Sequence, residues 1–211
     1  MSFLTALFYG SFMAKREKDY LTKWRKSLIK HVPGDVLKIG AGTGANLQFH
    51  PKDGTILTLP EPDKNMRKQL VEKVENDGLD YIKVTHDSIE NTDANDNSFD
   101  SVVSSFVCCS IPNLKLPLKK IRRILKLNGH FIFLEHVASE KGTRRRTWQN
   151  GLTPVWRKIE GNCHLIRNTE LSISQAGFIL KEIKRESMLK ALPFIRPTIR
   201  RIAKKTRLNK R

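Results

Sequence analysis

Little in this sequence can cross-link the chain or hold a metal. Three cysteines occur among 211 residues, and two of them, Cys108 and Cys109, are neighbours. Only Cys163 could pair over a distance, and no C-x-x-C spacing offers a zinc site. The expectation is a reducing, cytoplasmic compartment and no metal. Long apolar runs are missing as well. The apolar stretch Met1–Ala14 falls well short of the roughly 20 residues that span a bilayer, and no basic segment precedes it as in a secretory signal. It reads as a helix over the domain or, alternatively, as one lying shallowly in a membrane surface. Repeats and low-complexity linkers are absent too, so one domain of roughly 200 residues is expected. At 39% hydrophobic and 28% charged residues, the composition excludes a transmembrane bundle and a disordered chain.

Acid is scarce in one region only. Residues 141–211 carry 19 basic and 4 acidic groups, against 20 and 17 in residues 1–140. The C-terminal third thus holds +15 of the net +18. Solubility alone would not concentrate charge this way, and the pattern points to an anionic partner or surface near that third.

What is present alternates. Lys15–Val32 is polar and basic, with Tyr20, Leu21, Trp24, Leu28 and Ile29 at helical spacing, and Pro33-Gly34 ends it. Apolar runs bounded by turn signals predict strands at Asp35–Ile39, Thr55–Leu59, Tyr81–Thr85, Phe99–Cys108, Phe131–Val137, Phe178–Ile183 and near Thr198–Ala203. Gly44–Phe49, Lys64–Glu75, Leu114–Leu127 and Thr169–Ala176 read as helices, with Asp63 capping the second. Lys141–Asn168 is an insert rich in Arg, Trp and His without a clear period. Strands alternating with helices predict a parallel α/β sheet. The two closing strands, a short loop apart, predict an antiparallel hairpin at one edge.

Gly40-Ala41-Gly42-Thr43-Gly44 follows an apolar strand and opens a helix. Glycines there allow positive φ and close backbone approach, so amides can face a ligand. Such turns are common in α/β proteins and also serve purely structural ends. Glu61 lies at the end of the next strand, where a carboxylate accepts hydrogen bonds from both hydroxyls of a ribose. Strand, glycine turn, helix, strand, acid is a nucleoside-binding arrangement. Gly40, Gly42 and Ala45 also satisfy the dinucleotide fingerprint, so the turn alone leaves NAD open. A P-loop for ATP is excluded, because no G-K-S/T follows. The third glycine at 44, the lack of room for a substrate domain and the closing hairpin point away from NAD.

The segments LKIGAGTGANLQFHP, LPEPDKNMRKQL, NSFDSVVSSFVCCSIPN, ILKLNGHFIFLEHVAS, NCHLIRNTE and AGF resemble the class I S-adenosylmethionine (SAM) methyltransferases. More narrowly they resemble the methyltransferase-like seven group, the thiol S-methyltransferases, and its short soluble relatives, from about Phe8 to Lys204. The resemblance implies a Rossmann-like, mostly parallel sheet of seven strands with helices on both faces. The implied order is 3-2-1-4-5-7-6, with strand 7 antiparallel. Pattern and charge divide the chain into a helical cap over residues 1–32, a domain over 33–204 and a basic tail over 205–211; the resemblance makes the domain a methyltransferase with 141–168 covering the substrate. SAM is the implied cofactor. Gly40, Ala41, Gly42, Gly44 and Asn46 would pass its methionine part, and Glu61 with Pro62 would hold the ribose. Asp87, Ser88 and Ile89 would flank the adenine, and Ser105 and Phe106 would lie beside the sulfonium. Two positions depart from the family pattern. Lys38 stands where an acid usually helps bind the cofactor's ammonium, and it would repel that group unless its side chain turns away. Ser88 stands where an acid is usual, with Asp87 just before it.

Methyl transfer from a sulfonium is an in-line displacement, and most of its rate comes from positioning. A thiol acceptor must also lose its proton, because the thiolate is the nucleophile. Glu135 and His136, at the end of strand five, and His164, in the insert, are the candidate bases. Histidines at such places are often structural. Cys108 and Cys109 read as core, and Trp148 and Trp156 as lining a substrate pocket or simply packing. The expected reaction is transfer to a small apolar acceptor, a thiol first. A lipid- or quinone-type O- or N-methyltransferase is the alternative, and a non-catalytic SAM- or nucleoside-binding protein, suggested by Lys38, is a third reading. The basic third, with Arg144-Arg145-Arg146 and eight basic groups in Arg196–Arg211, suits a solvated surface, weak contact with an anionic membrane, or nucleic acid. Nucleic acid finds no motif support: Ser105-Phe106-Val107-Cys108 is not the Asn/Asp-Pro-Pro-aromatic of base-amino methyltransferases. Cys109-Ser110 is likewise not the Pro-Cys pair of cytosine C5 enzymes. No obligate protein partner is indicated.

Overall fold

Alternation along the strands decides the layering. In β1 (Asp35–Ile39), Leu37 and Ile39 pack on one face of the sheet and Val36 on the other. The same split separates Val102 from Val103 in β4 (Phe99–Ser105) and Phe131 and Phe133 from Ile132 in β5 (Leu125–His136). Both sets are buried, as a sheet covered on two faces requires. A computed structural model describes residues 21–30, 32, 34–52, 55–180, 183–189 and 191–207. Residues 1–20 of the expected cap and 208–211 of the tail lie outside these; within them the cap contributes α1 (Leu21–Ile29).

The face with Val36 is closed by Ile29 of α1 and Leu70 of α2 (Lys64–Asn76), together with Leu57 and Leu59 of β2 (Ile56–Pro60). Leu118, Ile121 and Ile124 of α3 (Lys115–Ile124) and Ile173 of α5 (Thr169–Gln175) close the other, with α4 (Arg144–Ile159) between them in sequence. Asp63 caps α2 as its sequence position predicts, with Oδ1 accepting from the Asn65 and Met66 amides at 3.0 Å. The remaining strands are β3 (Ile82–Thr85), β6 (Phe178–Leu180), β7 (Lys184–Ser187) and β8 (Pro197–Lys205). Strand order is β3-β2-β1-β4-β5-β8-β6, with β7 also on β8; the pairs from β3 to β5 are parallel and those of β8 antiparallel.

That is the expected Rossmann-like order once β6 and β7 are taken as two halves of the sixth strand, both paired with β8. Four local readings need correction. The fourth strand stops at Ser105 rather than Cys108, because Phe106 takes φ +56° and turns the chain away. The helix before β5 ends at Ile124, and β5 starts at Leu125, six residues before the predicted start. Leu125 pairs with Phe99, and the register shifts before Ser101 meets His130, with Asn128 at φ +66°. Gly44–Phe49 shortens to a 3-10 turn over Leu47–Phe49. The insert without a clear period is largely one helix, α4.

Candidate functional site

The carboxyl ends of β1, β2, β4 and β5 lie side by side, which is where open α/β sheets bind their ligands. At the end of β1 the chain turns through Gly40, Gly42 and Gly44, with φ of +53°, +61° and +85°. Gly40 and Gly44 are also closely packed. A Cβ on Gly40 would lie 2.6 Å from Cγ2 of Val107, and one on Gly44 2.9 Å from Cδ1 of Leu47. At Gly42 a Cβ would meet nothing within 4 Å, so the turn leaves open space there.

Glu61 reaches this turn from the end of β2. Its buried carboxylate accepts from the Gly42 amide at 2.7 Å through Oε2 and from the Asp63 amide at 3.0 Å through Oε1. Each oxygen keeps lone-pair capacity, since a carboxylate has about four acceptor directions. Pro62 beside it is exposed, and Arg67 holds the Glu61 carbonyl at 2.8 Å. Across the turn, Nδ2 of Asn46 donates to Oγ of Ser105 at 3.1 Å, while the buried Oδ1 of Asn46 has no hydrogen-bond partner. Asn46 thus joins the glycine turn to the end of β4 with one polar atom to spare. An open glycine cradle, a carboxylate with acceptor capacity and an orphaned amide oxygen fit a ligand bearing hydroxyls and further hydrogen-bond donors.

Lys38 does not turn away. It is 2% exposed, and Nζ donates to the Ile39 carbonyl at 2.6 Å and the Gly40 carbonyl at 3.1 Å. Burial and the nearby Arg25 charge lower its pKa to about 8. The charge therefore sits at the head of the glycine turn. His50, which the sequence reading passed over, is buried behind the turn with neither ring nitrogen bonded; burial and Lys38 push it down to about 3. A histidine seven residues beyond Thr43, between Phe49 and Pro51, gives no sign of this in the sequence.

The residues assigned to the adenine follow β3. Asp87 is half-buried, with Oδ1 3.9 Å from Nε2 of His86. The Ser88 carbonyl accepts from the Thr92 amide and hydroxyl, while the Ile89 side chain belongs to the core around Leu37 and Ile39.

On the far side, Glu135 is fully buried. Its Oε1 accepts from Oγ of Ser104 at 2.5 Å and from the Val107 amide at 3.3 Å, and Oε2 from the Cys109 amide at 3.3 Å. Burial raises its pKa, and these donors oppose the shift. With its oxygens turned into the loop after β4, Glu135 does the work of a tie rather than of a base facing an acceptor. His136 is different. Its ring lies 4.6 Å from that of Phe106, Nδ1 has no partner, and burial lowers its pKa to about 4, so it is neutral at pH 7. His164 comes to the same loop from the insert: its amide donates to the Cys109 carbonyl at 2.8 Å, and Nε2 is unpartnered. Burial and the charges of Arg167 and Arg157 lower its pKa. Cys109 and Cys163 pack together with Leu165, and Cys108 lies in the main core. Burial pushes the Cys108 thiol up; for Cys109 the neighbouring Cys163 thiol contributes most, then burial. Trp156 packs edge-on against Phe194 at 5.1 Å, whereas Trp148 is exposed. Among the described residues no cluster of three potential metal ligands occurs.

Residues 37–133 match the family model described as a methyltransferase domain. The chain is 35% identical over 185 residues to thiol S-methyltransferase TMT1B of Rattus norvegicus, covering 84% of this chain and 73% of that protein. The chain belongs to the class I SAM-dependent methyltransferases. A second member, thiol S-methyltransferase TMT1A of Homo sapiens, is 30% identical over 193 residues, covering 90% of this chain and 79% of its own length. Among solved structures, a putative methyltransferase from Bacillus halodurans superposes with a TM-score of 0.68 at 15% identity, covering 87% of this chain and 98% of its own. The cyclase SpnF reaches 0.71 at 17% identity, covering 89% and 80%. At such identities the likeness concerns the fold alone. The enzyme is a methyltransferase that uses SAM.

Proposed function

We propose that this methyltransferase transfers its methyl group to a small, apolar thiol. The observation that carries the reading is the similarity to two thiol S-methyltransferases over 84% and 90% of the chain, insert included. A second supports it: the chain's own thiols near the site, Cys108 and Cys109, are buried and held protonated, so neither competes as acceptor.

Bound at the glycine turn, SAM supplies a methyl group already activated on a sulfonium. In this reading Glu61 accepts from the two ribose hydroxyls, and the open side of Gly42 takes the methionine part. Asn46 and Ser105 line the path between them. Asp87, Ser88 and Ile89 border the adenine, and Phe106 lies beside the reacting carbon. The chain's part would be to hold an acceptor sulfur against the activated methyl while Phe106 and Ser105 border it. The thiol proton would leave to water, with the unpartnered Nε2 of His164 on the insert as the candidate side-chain acceptor; His136 is neutral, but the burial that lowers its pKa to about 4 makes it a weak base. Three buried cysteines, all free, suit a reducing cytoplasm.

Incubation with methyl-labelled SAM and a panel of thiols, phenols and amines tests the acceptor class. Thiols should be labelled well above the rest; preferential labelling of phenols or amines would overturn the reading. Calorimetry with S-adenosylhomocysteine tests the cofactor site separately. Glu61→Ala should weaken binding at least about tenfold, as the loss of charged hydrogen bonds implies, and an unchanged affinity would remove Glu61 from it.

A further inference from the structure

Helix α4 is turned inside out. Its buried residues are the polar Gln149 and Thr153, with Trp156 half-buried beside them against Phe194. Gln149 anchors it by donating to the Val137 and Phe194 carbonyls at 3.2 and 3.0 Å and accepting from the Ser139 amide at 2.7 Å. The outward residues include Trp148, Leu152, Val155 and Ile159, which are 58%, 37%, 58% and 55% exposed. At 3.6 residues per turn these four fall in one stripe about 60° wide. Arg144 and Arg145 continue that face at its first turn, Lys158 flanks it near the end, and the helix contains no acid.

An apolar stripe of this kind on a polar-backed helix calls for a cover. Charge selects among the candidates. A second copy docked on the same face would set Arg144, Arg145 and Lys158 against cations of its own. The chain's apolar stretch Met1–Ala14 contains no acid to meet them. RNA would satisfy the arginines but not four apolar side chains. An anionic bilayer supplies both an apolar layer and a negative surface: tryptophan sits at the headgroup boundary, and arginines bury their stems while reaching phosphate. We propose that the outer face of α4 docks, with its axis in the membrane plane, on an anionic phospholipid surface.

The test is co-sedimentation of the full chain with phosphatidylcholine vesicles, alone or with about one quarter phosphatidylserine. Binding should be at least about tenfold stronger to the anionic vesicles. Trp148→Ser/Leu152→Ser/Val155→Ser should lower it at least about tenfold, and Arg144→Glu/Arg145→Glu should abolish the preference for phosphatidylserine. All five side chains are exposed, and unchanged heat of S-adenosylhomocysteine binding reports an intact fold. The charge variant, which leaves the stripe whole, is an independent arm. Trp148→Phe should retain binding yet lose the fluorescence quenching caused by brominated lipid. Equal binding to neutral vesicles, or full binding by the triple variant, would overturn the proposal. So would a dimer that the triple variant dissolves, or capture of RNA without vesicle binding.

Discussion

Helices α3 and α4 are of similar make-up and behave in opposite ways. α3 turns Leu118, Ile121 and Ile124 onto the sheet and leaves Lys115 and Lys119 to solvent. α4 turns Gln149 and Thr153 onto the body and leaves Trp148, Leu152, Val155 and Ile159 outside. The first is held by apolar burial; the second is held by the Gln149 hydrogen bonds together with one half-buried aromatic, Trp156 against Phe194. Apolar residues at helical spacing occur in both, but they mark the buried face only in α3.

The strongest way to break this contrast is to truncate one leucine on each helix. Leu118→Ala should lower the unfolding free energy by about 3 kcal/mol, whereas Leu152→Ala should stay within about 0.5 kcal/mol; urea titration distinguishes the two. Gln149→Leu makes the inner face of α4 apolar, as a conventional helix would be. It should nevertheless cost about 2 kcal/mol, because the Ser139 amide and two carbonyls lose their partner. A gain in stability would erase the distinction.

Lys38 carries the same inversion into the sheet, a charge on an apolar strand facing α1. Its pKa falls from 10.5 to about 8 in the folded chain. The unfolded chain thus holds the proton more tightly between those values, and stability should rise as pH goes from about 8 to 10.5. Lys38→Met should remove that rise and add about 1.5 kcal/mol at pH 7, after allowance for two lost hydrogen bonds. The smallest effect concerns the helix starts. Thr143 caps α4 through the Arg146 amide, while Leu114 gives α3 no side-chain cap. Thr143→Ala should cost about 1 kcal/mol in thermal unfolding, with no counterpart at Leu114.

The sheet and the glycine turn were legible because they rest on local signals. Apolar runs ended by Gly or Pro marked the strands, and the positive φ at Gly40, Gly42 and Gly44 explains the preference for glycine there. Legibility failed where a partner distant in sequence decides. Nothing in Leu114–Leu127 announces that Leu125 pairs with Phe99 and ends the helix three residues earlier than expected. Glu135 at a strand end looks the same whether its oxygens meet solvent or the amides of Val107 and Cys109. For Lys38 the neighbours that depress its pKa come from another element. In α4 the spacing 148, 152, 155, 159 was present, but Gly151, Pro154 and flanking arginines obscured it. The loop after β4, the insert and Lys38 are thus harder to read than the strands because their contacts are long-range.

The attachment of α4 through Gln149 has a wider implication. Its three bonds end on main-chain atoms of Ser139, Val137 and Phe194, which every sequence possesses. An anchor on backbone places few demands on the side chains that carry it. Positions 137, 139 and 194 can therefore change over generations without loosening those bonds.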